Sequence, residues 1–423
     1  MLTYVFDKEI KKPLYIQLYE CLKSDIVTGI LQSGEKLPSK RSLAEHLGIS
    51  KVTVETAYSI LLSEGYIFSE SKRGYYVEAD LSLHPVKNKS EASNDFGYHK
   101  RYRIDLSSNT VPPEQFPFDT WAKIMRNICL DYREELLRPV PNGGAFCLRE
   151  ALSGYLYEHR GIVVSPYQII IGSGSGYLYG IITGLIGKDK VYGVENPSYR
   201  GIYKSYTSNG VLCVPVSVDE GGVSLADAIE KKPDVLHISP SHNFPTGVVT
   251  GPKRRREILS ALYSGDERYI VEDDFDSELR FSGQPIPTLY ASDNSGRVIY
   301  MNTFSKTIAP SVRISYLVLP EALAQKYYSL FPDEICPVPS FEQYALASFI
   351  SEGYFERHLR RNKKYYKTLG GKLKDIYYAS EVSKRSEIIE SEAGLHFFIK
   401  LDCGIDDSVI KDKFAENDIN CSF

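Results

Sequence analysis

After Pro13, apolar residues recur at Leu14, Leu18, Leu22 and Ile26, and this four-residue spacing predicts one buried face of an amphipathic helix. Gly29 and Ser33-Gly34 end it. Ser39 is placed to cap a second, short helix with Leu43, Ala44 and Leu47 inside, and Gly48 breaks that helix. Ser50 caps a third, whose inner stripe is Val54, Ala57, Tyr58 and Leu61, until Gly65 stops it. Tyr66 to Val77 then offers two β-prone arms around Ser71-Lys72-Arg73-Gly74, a hairpin wing on a helix-turn-helix.

From about residue 80 to 103 neither period is present, so a polar linker separates a unit at 1–79 from one at 104–423. In the second unit, short β-rich runs alternate with longer helical patterns. The strand candidates are Gln168–Ile171, Val191–Val194, Val211–Val214, Val235–Ile238, Tyr269–Val271 and Val298–Met301. Such alternation predicts a largely parallel α/β sheet over 104–330. From about 331 to 423 a long helical stretch and a strand at Leu395–Leu401 predict a smaller α+β part.

A chain of 423 residues is long enough for two or three domains, and 43% hydrophobic with 25% charged residues is an ordinary globular balance. The net charge of -4 means that any nucleic-acid contact must come from a local basic face. The longest apolar stretch, Tyr177 to Gly187, is too short to span a membrane, and the N-terminus lacks a signal-peptide core, so a cytoplasmic protein is expected. Seven scattered cysteines without a CxxC pair suggest buried thiols and no metal site.

Acidic and basic residues balance through residue 79, yet Lys36, Lys40, Arg41, Lys51, Lys72 and Arg73 all fall in the turn, the helix starts and the wing. A recognition helix enters the major groove by its N-terminal end, where amides, hydroxyls and cations meet phosphates and base edges. Ser39, Lys40, Arg41, Ser50, Lys51, Thr53, Lys72, Arg73 and Gly74 are therefore the candidate DNA contacts; the plainer alternative is a protein-interaction module with a solvated charged face. The run LPSKRSLAEHLGISKVTVETAYSILLSEGYIFSESKRGYYV is similar, nearly position by position, to the winged helix-turn-helix of GntR-type bacterial transcription regulators. That resemblance implies DNA contact at Arg41, Lys51 and Thr53, with Gly74 as the wing glycine.

A second group of residues suits a pyridoxal phosphate site. Lys306 follows the strand Val298–Met301 among Thr303, Ser305 and Thr307, with Arg313 seven residues on. A loop lysine can condense with an aldehyde, while the hydroxyls and the planar arginine fork can hold a phosphate. Asp273 ends another strand, where a carboxylate can pair with a protonated pyridine nitrogen, although a helix-capping acid is the plainer reading. Gly172-Ser173-Gly174-Ser175-Gly176 opens a helix after a strand, so its amides can cradle phosphate, and Tyr199 can stack on a flat ring.

These segments, with PNGGAFCLREAL, VENPSY, SPSHNFPTG and NTFSKTIAPSVRISY, resemble fold type I pyridoxal-phosphate enzymes of the class I aminotransferase family. The resemblance implies that Lys306 bonds to pyridoxal 5'-phosphate, Asp273 binds the pyridine nitrogen, Tyr199 stacks on the ring, and Ser175, Gly176, Thr303 and Arg313 bind phosphate, with Ser305 beside them. It also implies a homodimer. Phe275 stands where the family usually has Tyr, and Phe244 where it usually has Asn; Asn243 and His242 are the near substitutes. The chain reaches Phe423 without a counterpart to the substrate-gripping arginine, so the small part is read as truncated.

A GntR-type winged helix joined to an aminotransferase-like domain is the architecture of MocR-type regulators. The resemblance implies a dimeric, DNA-binding transcription regulator that responds to an amine, an amino acid or the cofactor. The rivals are a working aminotransferase tethered by its first domain and a cofactor-free regulator.

Overall fold

A computed structural model of the chain describes residues 2–4, 6, 12–71, 73–78, 102–107, 109–263, 268–281, 286–389 and 394–422. They fall into two units, Met1–Arg101 and Tyr102–Phe423. Lys72, nearly all of the expected linker and Phe423 lie outside the described residues.

In the first unit the apolar spacing becomes three helices, α1 (Leu14–Val27), α2 (Lys40–Leu47) and α3 (Lys51–Ser63), followed by β1 (Ile67–Glu70) and β2 (Gly74–Val77). At α2 and α3 the N-terminal caps are side-chain caps. Ser42 N–H donates to Ser39 Oγ, Thr53 N–H donates to Ser50 Oγ, and Gly48 leaves α2 at φ +64°, a left-handed turn that favours glycine. Leu18, Leu22, Leu43, Val54, Tyr58, Leu61, Ile67 and Val77 close one core, and β1 and β2 pair antiparallel with Glu70 opposite Gly74.

In the second unit the strands in chain order are β3 (Ile104–Asp105), β4 (Ile169–Gly172), β5 (Val191–Asn196), β6 (Leu212–Asp219), β7 (Gly222–Val223), β8 (Val235–Ile238), β9 (Tyr269–Asp273), β10 (Val298–Thr303), β11 (Ser315–Val318), β12 (Ser386–Ile389), β13 (Phe398–Leu401) and β14 (Ile419–Asn420). Eight of them form one sheet, ordered β4-β11-β10-β9-β8-β5-β6-β7. The block from β10 to β6 is parallel, while β11 and β7 run against it. β11 was not among the strand candidates. It is buried along its whole length and lacks the polar alternation that marks a half-exposed strand.

Both faces of this sheet are covered. Ile169 and Ile171 of β4 join one core with Leu148, Leu152 and Phe349, whereas Ile170 joins the opposite core with Leu178, Tyr206 and Tyr327. The two-residue period of a strand thus divides one apolar run between two layers of helices. Beyond the sheet, helices Ser340–Ser351 and Tyr354–Ala379 lead to a hairpin of β12 and β13. β12 was not anticipated, and the strand expected from Leu395 starts only at Phe398, after Gly394 in a left-handed conformation. Two cysteines expected inside, Cys129 and Cys403, are exposed. No described helix is long and apolar enough to cross a membrane.

The end of β9 carries a run of acids held by buried partners. Arg160 pairs with Asp274, which also accepts from Tyr300 (2.7 Å) and Ser277 (2.8 Å), and Arg255 lies 3.2 Å from Glu272. Burial pushes the Asp274 carboxyl up, but Arg160 and these hydroxyls outweigh it and hold the group below its ordinary value. Removing one member of such a pair strands a charge away from water, so Arg160→Ala should lower the unfolding free energy by about 3–5 kcal/mol in a denaturant titration; a loss below about 1 kcal/mol would contradict this pairing.

Candidate cofactor site and nucleic-acid interface

The register of three strands assembles an anion cradle. Gly172 of β4 faces Ser315 of β11, which faces Thr303 of β10, so the Gly-rich turn, Arg313 and Thr303 share one end of the sheet. Gly174 N–H donates to Ser315 Oγ (3.0 Å), and Ser315 donates on to the Gly172 carbonyl (3.1 Å). Gly174 sits at φ +108°, and a Cβ there would collide with the Arg313 guanidinium, so the arginine lies directly against the turn. Its Nη2 donates to the Ser173 carbonyl at 3.3 Å. Ser175 and Gly176 open the helix Ser175–Ile186, where first-turn amides have no partner four residues back, and nothing lies within 4 Å of where a Gly176 Cβ would stand. Thr303 Oγ1 donates to Ser305 Oγ at 3.1 Å. This cradle of amides, hydroxyls and one guanidinium fits a phosphate dianion.

Asp273 ends β9 beside Met301 of β10. Behind it stands a relay that sequence reasoning missed: Tyr206 Oη lies 3.0 Å from His237 Nδ1, and His237 Nε2 lies 3.4 Å from Asp273 Oδ2. All three residues are buried. If the tyrosine donates to Nδ1, then Nε2 carries the proton that faces the carboxylate. His237 sits inside the apolar strand VLHI, and this lone polar residue in a buried strand was the available signal.

Lys306 is half-buried in the turn after β10, and its Nζ donates to Asn109 Oδ1 at 2.8 Å. Burial holds its ammonium below the ordinary lysine range, against the pull of Asp276. Asn109 was not anticipated, since nothing local marks it. Tyr199 caps the helix Arg200–Ser208, is 58% exposed, and lies edge-on to Phe244 at 6.3 Å. A Cβ at Gly201 would strike the Tyr199 ring, so glycine is what lets that ring fold against the helix start.

Asn243 is placed differently from expectation. Its Nδ2 donates to Glu195 Oε2 at 2.7 Å and its Oδ1 accepts from Thr246 at 2.7 Å, so the side chain holds its own loop and keeps one N–H and one lone pair beyond these bonds. Phe275 stacks with His242 at 6.3 Å, and His242 Nδ1 lies 2.8 Å from Asp276 Oδ2.

In the first unit the N-terminal turn of α3 is open to solvent, with Lys51 and Val52 exposed and Thr53 half-buried. Arg41 is also exposed and pairs with Glu45 on its own helix (3.0 Å), and Arg73 pairs with Glu70 in the wing (3.2 Å). Gly74 takes φ +123° as the wing turns back. Ser39 and Ser50 act as helix caps, and the Ser50 hydroxyl also shares a hydrogen bond with Thr53 Oγ1 at 2.8 Å. Lys40 is committed within the fold: it pairs with Glu55 of α3 at 2.7 Å and lies over the Tyr75 ring, bracing α2 against its neighbours. Val52, 69% exposed, is an apolar contact surface the sequence reading did not single out.

Known proteins resemble both units. The family described as bacterial regulatory proteins, gntR family, matches residues 14–77. The uncharacterized HTH-type transcriptional regulator YdeL of Bacillus subtilis is 36% identical over 86% of this chain and 79% of its own. The probable rhizopine catabolism regulatory protein MocR of Rhizobium meliloti is 32% identical over 96% of this chain and 85% of its own. Among solved structures, a kynurenine aminotransferase of Pyrococcus horikoshii, crystallised with PMP, matches with a TM-score of 0.66 and 25% identity, over 75% of this chain and 80% of that one.

Glu195 at the end of β5 carries a testable consequence. Burial pushes its carboxyl up to about 7, although Ser239 N–H (2.9 Å) and Asn243 both donate to it. A group raised in the folded state favours folding below its unfolded pKa, and that advantage disappears as pH rises towards the folded value. Between about pH 4.5 and 7 the unaltered chain should therefore lose up to about 3 kcal/mol of stability relative to Glu195→Gln, which keeps an acceptor but does not titrate. Parallel stability curves in chemical unfolding would contradict it.

Proposed function

This chain belongs to the MocR-type regulators of the gntR family, transcription regulators that join a winged helix-turn-helix to an aminotransferase-like domain of fold type I, and from that premise we propose that its second unit holds pyridoxal 5'-phosphate as the sensing element. The observation that carries this reading is the placement of a phosphate cradle, a buried acid and a partly desolvated lysine around the same sheet ends. The donor set fits the group. Ser175, Gly176, Thr303, Ser305 and Arg313 would hold its phosphate, Asp273 its pyridine nitrogen, and Tyr199 one ring face.

Bound there, the cofactor supplies an aldehyde and an electron-withdrawing ring. The chain's own residues do the rest. Burial keeps a larger share of Lys306 as the neutral amine, the form that attacks an aldehyde, and Asn109 fixes the direction of its nitrogen. His237, held by Tyr206, stands 3.4 Å from the Asp273 carboxylate and would favour its ionised form when protonated on Nε2. Phe244 and Phe275 offer no donor to the ring hydroxyl, so the pocket suits capture and sensing better than rapid turnover.

The first unit, in a homodimer, would grip double-stranded promoter DNA in the cytoplasm through Arg41, Ser50, Lys51, Thr53, Arg73 and the wing glycine Gly74, with Val52 against a base methyl. An amine, an amino acid or the cofactor itself would act as effector by binding one arrangement of the dimer more tightly than another.

Two measurements test this reading. Purified protein mixed with pyridoxal phosphate should gain an absorption band near the visible edge that borohydride removes and that Lys306→Ala never shows; a cofactor-free spectrum would leave only a DNA-binding dimer. On a promoter fragment that the unaltered protein retards, Arg41→Ala and Lys51→Ala should each weaken binding by roughly 10–100-fold at fixed salt and flatten the salt dependence by about one unit per lost phosphate contact. Unchanged retardation would misplace the contacts.

A further inference from the structure

Three side chains outside the cofactor set come together from distant parts of the second unit: His242 from the loop after β8, Asp276 from the turn after β9, and His396 from the approach to β13. We propose that they form a binding site for a single divalent transition-metal cation of the zinc class. It does not depend on whether Lys306 carries a cofactor.

Geometry carries the argument. One potential ligand atom from each residue lies within 4.8 Å of the other two. His242 Nδ1 stands 2.8 Å from Asp276 Oδ2, and the two imidazole rings are 4.5 Å apart. His242 is 1% exposed and Asp276 3%, so neither can turn to water. Yet Nε2 of His242 and Nε2 of His396 are both shielded and have no hydrogen-bond partner among the described residues. A buried polar atom left unpaired costs about 1–3 kcal/mol. With Nδ1 of His242 donating to Asp276, its Nε2 presents a bare lone pair, and a cation is what such a lone pair binds.

The donor set also selects the class of ion. Two imidazole nitrogens, one of them oriented by Asp276, suit zinc and its neighbours, whereas calcium and magnesium prefer all-oxygen shells. The Asp276–His242 contact is the carboxylate–imidazole arrangement that orients metal-binding histidines. The surroundings are shaped to match. Gly394, at φ +77°, lays its backbone so close that a Cβ would strike His242 and Asp276, and its N–H is anchored on the Leu279 carbonyl at 3.2 Å. Phe275 stacks on His242, and Phe244 meets His396 edge-on at 4.8 Å. An ion here would pin the segment Gly394–Phe398 to the ends of β8 and β9. Lys306 acts electrostatically on Asp276 and His396 and opposes a cation, so it is removed in one arm of the test.

The test uses untagged full-length protein, stripped with a chelator and titrated with cobalt(II), whose visible absorption reports protein ligands directly. We expect bands that saturate at one equivalent per chain in the unaltered protein and in Lys306→Met. His396→Gln should weaken binding by at least about 100-fold, more than the loss of an orienting partner alone costs, and Asp276→Asn by about 10–100-fold. His242→Gln is the second ligand variant should His396→Gln fail a thermal-melt check of folding. No visible bands, saturation at another stoichiometry, or equal affinity in the ligand variants would overturn the proposal and leave the trio as a hydrogen-bonded packing cluster.

Discussion

Five carboxylates in seven residues, Glu272 to Glu278, have to be taken out of water at the end of β9, and the second unit is arranged around compensating them. Each recruits a different element. Arg255 and two backbone amides hold Glu272, Arg160 and Tyr300 hold Asp274, His242 holds Asp276, and Asn302 donates to Glu278 at 2.8 Å. Asp273 and Asp276 each face a histidine in place of an arginine, His237 at 3.4 Å and His242 at 2.8 Å. An isolated ionised carboxylate would cost far more than a domain's whole stability margin, so each acid taken out of water here depends on its partners.

The first unit was legible almost completely, because everything that specifies it is local. Four-residue spacing, two serine caps and glycine stops each act within a few residues, and α1, α2, α3 and the hairpin follow from them. What escaped notice there was pairing across elements. Lys40 looked like a free cation, yet Glu55 and the Tyr75 ring are only brought to it by folding.

In the second unit, the alternation of elements was visible but the order of the sheet was not. β11 inserts between β4 and β10 although it follows both in the chain, and no periodicity encodes that. Motifs next to glycines or at strand ends, such as Gly172–Gly176 and Lys306, stood out because their chemistry and their backbone demands coincide. Asn109, Tyr206 and His237 did not, since each matters only through a partner tens to hundreds of residues away. Asn243 stood out by its loop, but its bonds to Glu195 and Thr246 could not be read from the sequence.

One small element ties these parts together. β14 lies parallel to β3, with Ile104 N–H donating to the Asp418 carbonyl (3.2 Å) and Leu106 N–H to that of Asn420 (2.8 Å). Residues 104–105 are where the second unit receives the chain from the DNA-gripping head, and residues 419–420 follow directly on the helix Asp407–Glu416 beyond β13. The start of the second unit is thus bonded to its last strand through backbone hydrogen bonds, independently of the eight-stranded sheet.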